Sequence, residues 1–501
     1  MTASVDVAGR LKQIGKDTLF YGLGTVLQGF ISFLLFPIYT RVLTQSDFGA
    51  QDLVLTAVTI LSYFLILGLD SGTARHYYDG ETPEEKSAVL STWLLFELAA
   101  SIPFTILLIL FARPISAWFF NDPSLAPYFR LGVVALPVSM TVRVMTLTLR
   151  LTFQAKKFSL IVAFGALTQA LTAILLVVVL HMGVSGVFLA ILASAVMQLL
   201  VGLRFTYANY HLAFSGKLLK SMLAFGVPLV PASLSIWILN NSNRYFLAHL
   251  ANLNEIGLLG VGVRVSNILT MLISAFLTAW PPFAYSLFKD MEVARHTYAK
   301  ILTYFLLASS FIAAGLTIFG REVVIVLATK TYETSVFVLP WLLFSSIAWG
   351  MVSIVGIGCD SARKSYHYSI ATILGALVTT GLNILLIPLF NIRGAAAATM
   401  CGNITALTYI FFTGRHYLPI RFEFRKLATL VALFAFVAVA TQRVDLLFTQ
   451  WQPTLLIYKG LLFVAFLLGL FLFKVVTPAE VGDAVVYLKS RIPFKKQPAP
   501  K

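Results

Sequence analysis

Apolar residues fill this chain in runs of about 20, each closed by a short polar or turn-forming stretch, almost from end to end. At 1.5 Å rise per residue, a helical run of that length matches a hydrocarbon slab of about 30 Å. The pattern predicts an all-α integral membrane protein with 14 transmembrane helices. The spans are 18–42, 48–70, 88–111, 127–150, 158–181, 184–205, 219–242, 256–280, 298–320, 335–358, 366–389, 394–414, 424–443 and 455–475. Between them stand breaks such as residues 79–86, Asn121-Asp122-Pro123 and Asn391-Ile392-Arg393-Gly394. The first run has no clear small-residue cleavage site, so it reads as a retained helix and not a signal peptide.

The span order repeats. Asp47-Phe48-Gly49 opens the second span and Glu255-Ile256-Gly257 the eighth. Gly186 opens the sixth and Gly394 the twelfth, while Lys217-Leu218-Leu219 and Arg425-Lys426-Leu427 follow those same two spans. All three pairs stand at one offset. Spans 1–6 and 7–12 therefore read as two six-helix bundles inserted in the same orientation, related by a pseudo-two-fold axis along the membrane normal. The expected organisation is a cytoplasmic N-terminus (1–16), a first bundle (17–215), a second bundle (216–422), extra helices 13 and 14 (423–476) and a basic cytoplasmic tail (477–501). Paired bundles suit alternating access, although a duplication without rocking leaves the same trace.

Composition excludes a soluble enzyme: 58% of the 501 residues are hydrophobic and 12% charged, with mean hydropathy +0.86. The net charge of +16 would suggest nucleic acid as partner in a soluble chain. Here it follows the positive-inside rule, and no aromatic-basic module stands out, so no nucleic acid is expected. With the N-terminus inside, most of the 37 Lys and Arg fall in cytoplasmic connections, which places both termini in the cytoplasm. Arg41, Arg113, Arg130, Arg244, Arg321, Lys330, Arg393, Arg443 and Lys459 fall to the outer side, and Arg143 and Arg264 inside spans. Cys359 and Cys401 read as small buried residues. The seven His are scattered without metal-ligand spacing, and no Walker motif occurs, so neither metal, cofactor nor catalytic constellation is expected.

Four stretches carry a resemblance. They are Phe36-Pro37-Ile38-Tyr39-Thr40-Arg41 through Asp47-Phe48-Gly49, and Gly68-Leu69-Asp70-Ser71-Gly72 with Arg75-His76-Tyr77-Tyr78. The third runs from Phe225-Gly226-Val227-Pro228-Leu229-Val230-Pro231 through Trp237-Ile238-Leu239-Asn240 to Arg244-Tyr245-Phe246. The last is Ala279-Trp280-Pro281-Pro282-Phe283-Ala284-Tyr285. In these the chain resembles the polysaccharide transporters of the multidrug/oligosaccharidyl-lipid/polysaccharide flippase superfamily, over about its first 420 residues. Where that family often has an acid just before the Arg of the third stretch, here stands Asn243, so no local ion pair for Arg244 is visible. The resemblance implies a 14-helix fold and outward flipping of a lipid-linked oligosaccharide of the O-antigen type, with polyprenyl diphosphate, membrane lipid and glycan-assembly proteins as partners. It also implies a groove for the lipid tail near helices 13 and 14.

Moving a polar, anionic headgroup through a low-dielectric slab calls for a polar and preferably cationic cavity. Charge inside a span is expensive and marks candidates. Arg264 leads them: its planar fork suits a diphosphate oxygen, the alternative being a structural pairing. Arg143 stands seven residues before Arg150, close to two turns, giving either a basic stripe or side chains snorkelling to the surface. Glu97, the one carboxylate read as deep in a span, is a proton carrier or the counter-charge of Arg143. Arg41 and Arg244 end equivalent helices and form an outer gate or interfacial anchors. Asn240, Asn241, Asn243 and Gln28 add amides that bond sugar hydroxyls or join helices. Asp70 and Arg75 form a cytoplasmic-side latch. Pro228, Pro231 and Pro281, with Pro282 and Pro37, are hinges or fixed bends. A drug or cation antiporter of the same superfamily would need an acidic interior, and a membrane glycan polymerase or glycosyltransferase an acidic motif or a sizeable outer loop with paired catalytic groups.

Overall fold

A computed structural model of the chain describes residues 7–211, 213–447 and 453–475. The tail at 477–501 and the first six residues lie outside the described residues. The chain runs through α1 (Val7–Val42), α2 (Gln45–Ile66), α3 (Leu69–Asp79), α4 (Pro83–Leu110), α5 (Ala112–Phe119), α6 (Ala126–Val134) and α7 (Leu136–Leu151). It continues through α8 (Ala155–Ala173), α9 (Gly183–Thr206), α10 (Gly216–Gly226), α11 (Val230–Leu250), α12 (Leu253–Ser286) and α13 (Met291–Ile318). Last come α14 (Gly320–Leu327), α15 (Leu339–Val355), α16 (Ile357–Ser361), α17 (Tyr366–Tyr417), α18 (Phe424–Leu447) and α19 (Pro453–Leu472). No strand occurs among the described residues.

Lipid offers no hydrogen bonds, so each crossing must satisfy its own backbone, and the helix does so within one segment. Twelve helical stretches among the described residues are long and apolar enough to cross a membrane, and α1 adds a shorter apolar segment, Val26–Val42. The 52 residues of α17 would run about 78 Å if straight, far beyond one crossing. Asn391 (φ 48°, ψ −127°) breaks that helix where the sequence places a turn between two spans. Helix starts are marked by capping residues. Thr44 with Asp47 and Thr82 with Glu85 form capping boxes on α2 and α4, and the Asp290 carboxylate caps α13.

The surface inverts that of a soluble protein. Leu110, Leu389 and Leu472 are largely exposed, while Asn243, Asn383, Asn403 and Thr379 are buried. That is the distribution expected when the solvent is lipid and polar side chains join helices.

The chain divides into two units. One holds the described residues up to Arg264 together with Val324–Val338 and Ser369–Thr405. Within it α8 lies between α1 and α9, α7 lies against α4 and α9, and α2 lies against α11. Two close backbone approaches fix the geometry. A Cβ on Gly49 would collide with the Leu253 carbonyl, and one on Gly257 with the Gln45 carbonyl, so the first turns of α2 and α12 touch reciprocally. Gly68 takes φ 72°, a conformation open to glycine, and so separates α2 from α3; a Cβ there would collide with the Gly226 carbonyl, and one on Gly226 with the Gly68 carbonyl. The other unit holds Val265–Val323, Leu339–Tyr368 and the described residues from Ala406 onward. There α13 lies against α15, α18 and α19, and Lys459 of α19 is fully buried between Glu322 and Asp445, its Nζ 2.9 and 3.0 Å from their oxygens.

Candidate functional site

The site grows from the α2–α12 crossing. With glycine at 49 and 257 the two helices meet backbone to backbone, and Gly260, one turn on, leaves room for Phe48 and Asp52 of α2. Asp52 is the eighth residue of α2, with a side chain only 16% exposed. It accepts the Nε–H of Arg244 at 2.8 Å. Arg244, from α11, is buried and also donates to the Asn240 carbonyl at 3.1 Å and the Asn243 side-chain oxygen at 3.0 Å. Asn243 in turn donates to the Thr399 hydroxyl at 3.3 Å. Arg244 thus has an acid partner after all, supplied by another helix and not by the position before it.

Arg264 stands two turns along α12 from Gly257. Its guanidinium carbon lies 5.0 Å from the ring centroid of Phe48 and 5.4 Å from that of Phe36, two side chains that are themselves buried. Planar guanidinium on aromatic faces is a favourable and orienting arrangement. Arg264 feels the Asp52 carboxylate electrostatically without forming an ion pair among the described residues, while Oδ2 of that carboxylate is held by Arg244. Two guanidiniums share one acid, and the cluster carries a surplus positive charge.

A second cluster lies at α3, α4 and α7. Arg143 gives Nη2–H to Asp70 at 2.7 Å, both half-exposed. The direct partner of Arg143 is therefore Asp70 and not Glu97, because the Gly68 break turns α3 so that Asp70 faces α7. Glu97 is buried and accepts the indole N–H of Trp93 at 3.1 Å. Arg75 is separate from Asp70 and lies over the Phe225 ring at 5.0 Å. Glu97 is also not alone as an acid within a helix, since Asp52 is largely covered and Asp445 is buried in the other unit.

The remaining sequence candidates lie apart. Arg41 is exposed and donates to the Pro37 and Val326 carbonyls. Gln28 is on an exposed face of α1, Asn240 turns its amide to its own helix at Ile236, and Asn241 is half-buried. Pro228 sits in a single 3-10 turn, Val227–Leu229, that interrupts the path from α10 to α11, with Pro231 at the start of α11. Pro281 lies inside α12.

Asp52 was absent from the sequence candidates. The signal that points to it is spacing: it lies one turn after Gly49, on the same face of α2.

A family model described as polysaccharide biosynthesis protein matches residues 38–337. No curated protein matches the chain. Among solved structures, the lipid II flippase MurJ in an inward closed conformation is 12% identical with a TM-score of 0.72, over 94% of this chain and 99% of that one. An inward-facing multidrug resistance MATE family transporter of the MOP superfamily is 16% identical with a TM-score of 0.66, over 82% and 96%. An outward-facing one is 18% identical with a TM-score of 0.57, over 81% and 95%. These likenesses concern the fold. By the family match the chain belongs to the polysaccharide biosynthesis protein family, on a fold shared with MOP-superfamily transporters and flippases.

Proposed function

We propose that this chain is a flippase that carries a lipid-linked oligosaccharide, held on a polyprenyl diphosphate, from the cytoplasmic to the outer leaflet for surface polysaccharide export by alternating access. It works in the plasma (inner) membrane with both termini cytoplasmic and 14 crossings, twelve of them in two six-helix repeats and two beyond these. The observation that carries this reading is Arg264, a guanidinium in a span, oriented by Phe36 and Phe48, while the nearest acid is bound to Arg244. A half-buried cation without an ion pair among the described residues suits a phosphate oxygen in a low-dielectric setting. The same surplus of positive charge opposes a cationic drug. Asn241 adds polarity for sugar hydroxyls on the helix that bears Arg244, and the Pro228 turn and Pro281 are the places where helices bend during the cycle.

Deletion followed by analysis of lipid-linked intermediates tests the reading. The expected result is accumulation of one complete repeat unit on its lipid carrier. A deletion strain with unchanged lipid-linked pools and normal surface glycan would refute it.

A further inference from the structure

We propose that the cavity where α1 ends and α2 begins is a second binding site, for an acidic sugar, on the side that the basic-residue distribution assigns to the outside. The role of this site as a place that holds the glycan after translocation rests on the flippase reading; its ligand chemistry does not.

The cavity measures about 580 Å³, and Arg41, Gln45, Asn254, Thr329, Thr331 and Tyr332 line it. That volume falls within the roughly 300–1,000 Å³ of small-molecule sites. Arg41 is held there and not left to wander. One terminal nitrogen donates to the Pro37 carbonyl and the other to the Val326 carbonyl, each at 2.8 Å. Those bonds use two of five N–H groups and no carboxylate pairs with Arg41 among the described residues, so positive charge and spare donors remain. Gln45 is fixed the same way: its amide N–H donates to the Thr331 carbonyl at 2.6 Å, which leaves its oxygen as an acceptor. The Asn254 amide and the Thr329 and Thr331 hydroxyls complete a mixed set of donors and acceptors.

Thr329 adds an independent observation. Its φ is 100°, where a β-branched residue is strained. Hydrogen bonds hold it from both directions, its N–H to the Ile325 carbonyl and its carbonyl from the Tyr332 N–H. Strain of this kind collects where a backbone is shaped for binding. A fixed guanidinium answers a carboxylate, and amides with hydroxyls answer the ring hydroxyls of a sugar.

The test uses the detergent-purified full chain in ligand-observed NMR titrations, with glucuronate and glucose as probes. Wild type is expected to bind glucuronate more tightly than glucose. Arg41→Gln and Asn254→Leu should each weaken glucuronate binding at least ten-fold. Absent glucuronate binding in wild type, or equal binding by wild type and both variants, would overturn the proposal. Arg41-dependent binding of phosphatidylglycerol in nanodiscs, without glucuronate binding, would overturn it too and give the cavity to lipid headgroups. These titrations need no translocation, so a failure here leaves the lipid-linked intermediates as the judge of the flippase reading, and the converse holds as well.

Discussion

Arg244 gives its Nε–H to Asp52 at 2.8 Å, and the same carboxylate is the acid whose charge Arg264 feels. The pair also joins α11 to α2. Asp52→Asn leaves a buried guanidinium without counter-charge, and the expected loss is about 3–5 kcal/mol of stability. Thermal unfolding in detergent reads it. The double variant Asp52→Leu with Arg244→Met should recover most of the loss, because no buried charge remains. Equal destabilisation by single and double variants would show that the packing, and not the ion pair, holds these helices together.

Arg143 and Asp70 make the contrasting case. Their side chains are 46% and 31% exposed, so water screens the pair and its contribution is about 0–1 kcal/mol. Asp70→Asn should leave the unfolding midpoint nearly unchanged. A fall in glycan export at unchanged stability then assigns the pair to transport, whereas a large drop in midpoint contradicts the screening argument.

Lys459 is enclosed by Glu322 and Asp445 with no exposed side-chain surface of its own. Lys459→Met strands two carboxylates, one of them buried, and is expected to lower stability by about 3–5 kcal/mol. Limited proteolysis of the variant should cut the connections around α18 and α19 sooner than in wild type. Unchanged digestion would contradict a holding role for this cluster.

Glycines divide sharply by surroundings. Gly257→Ala places a methyl group against the Gln45 carbonyl and should prevent the α2–α12 approach, seen as loss of folded protein after extraction. Gly381 has open space around its α-carbon, so Gly381→Ala should be neutral or stabilise by up to about 1 kcal/mol through helix propensity. The two variants together separate packing from propensity.

Crossing positions were legible in the sequence because a lipid-spanning helix must be apolar for its whole length, so the Asn391 turn inside α17 and the capped starts of α2 and α4 fall near the hydropathy breaks. Depth of charge was not legible. Read from hydropathy, Asp52 stands at the head of a span and looks interfacial; the capping box at Thr44 starts α2 earlier and carries Asp52 nearly two turns in. Lys459 misled in the same way, as a basic residue near a span end that the fold encloses between two acids. Arg264 was visible because nothing near it in the sequence could excuse a charge. Its aromatic neighbours were not, since Phe36 and Phe48 come from helices distant in the chain.

If Arg264 handles an anionic headgroup, its removal must stop transport without unfolding the protein. The direct measurement is translocation of a fluorescent polyprenyl-diphosphate oligosaccharide in proteoliposomes carrying wild type, Arg264→Lys or Arg264→Ala. Arg264→Ala should lose at least ten-fold with its unfolding midpoint kept, and Arg264→Lys, which retains charge without the planar fork, should keep partial activity. Full translocation by a correctly folded Arg264→Ala would contradict that role for Arg264.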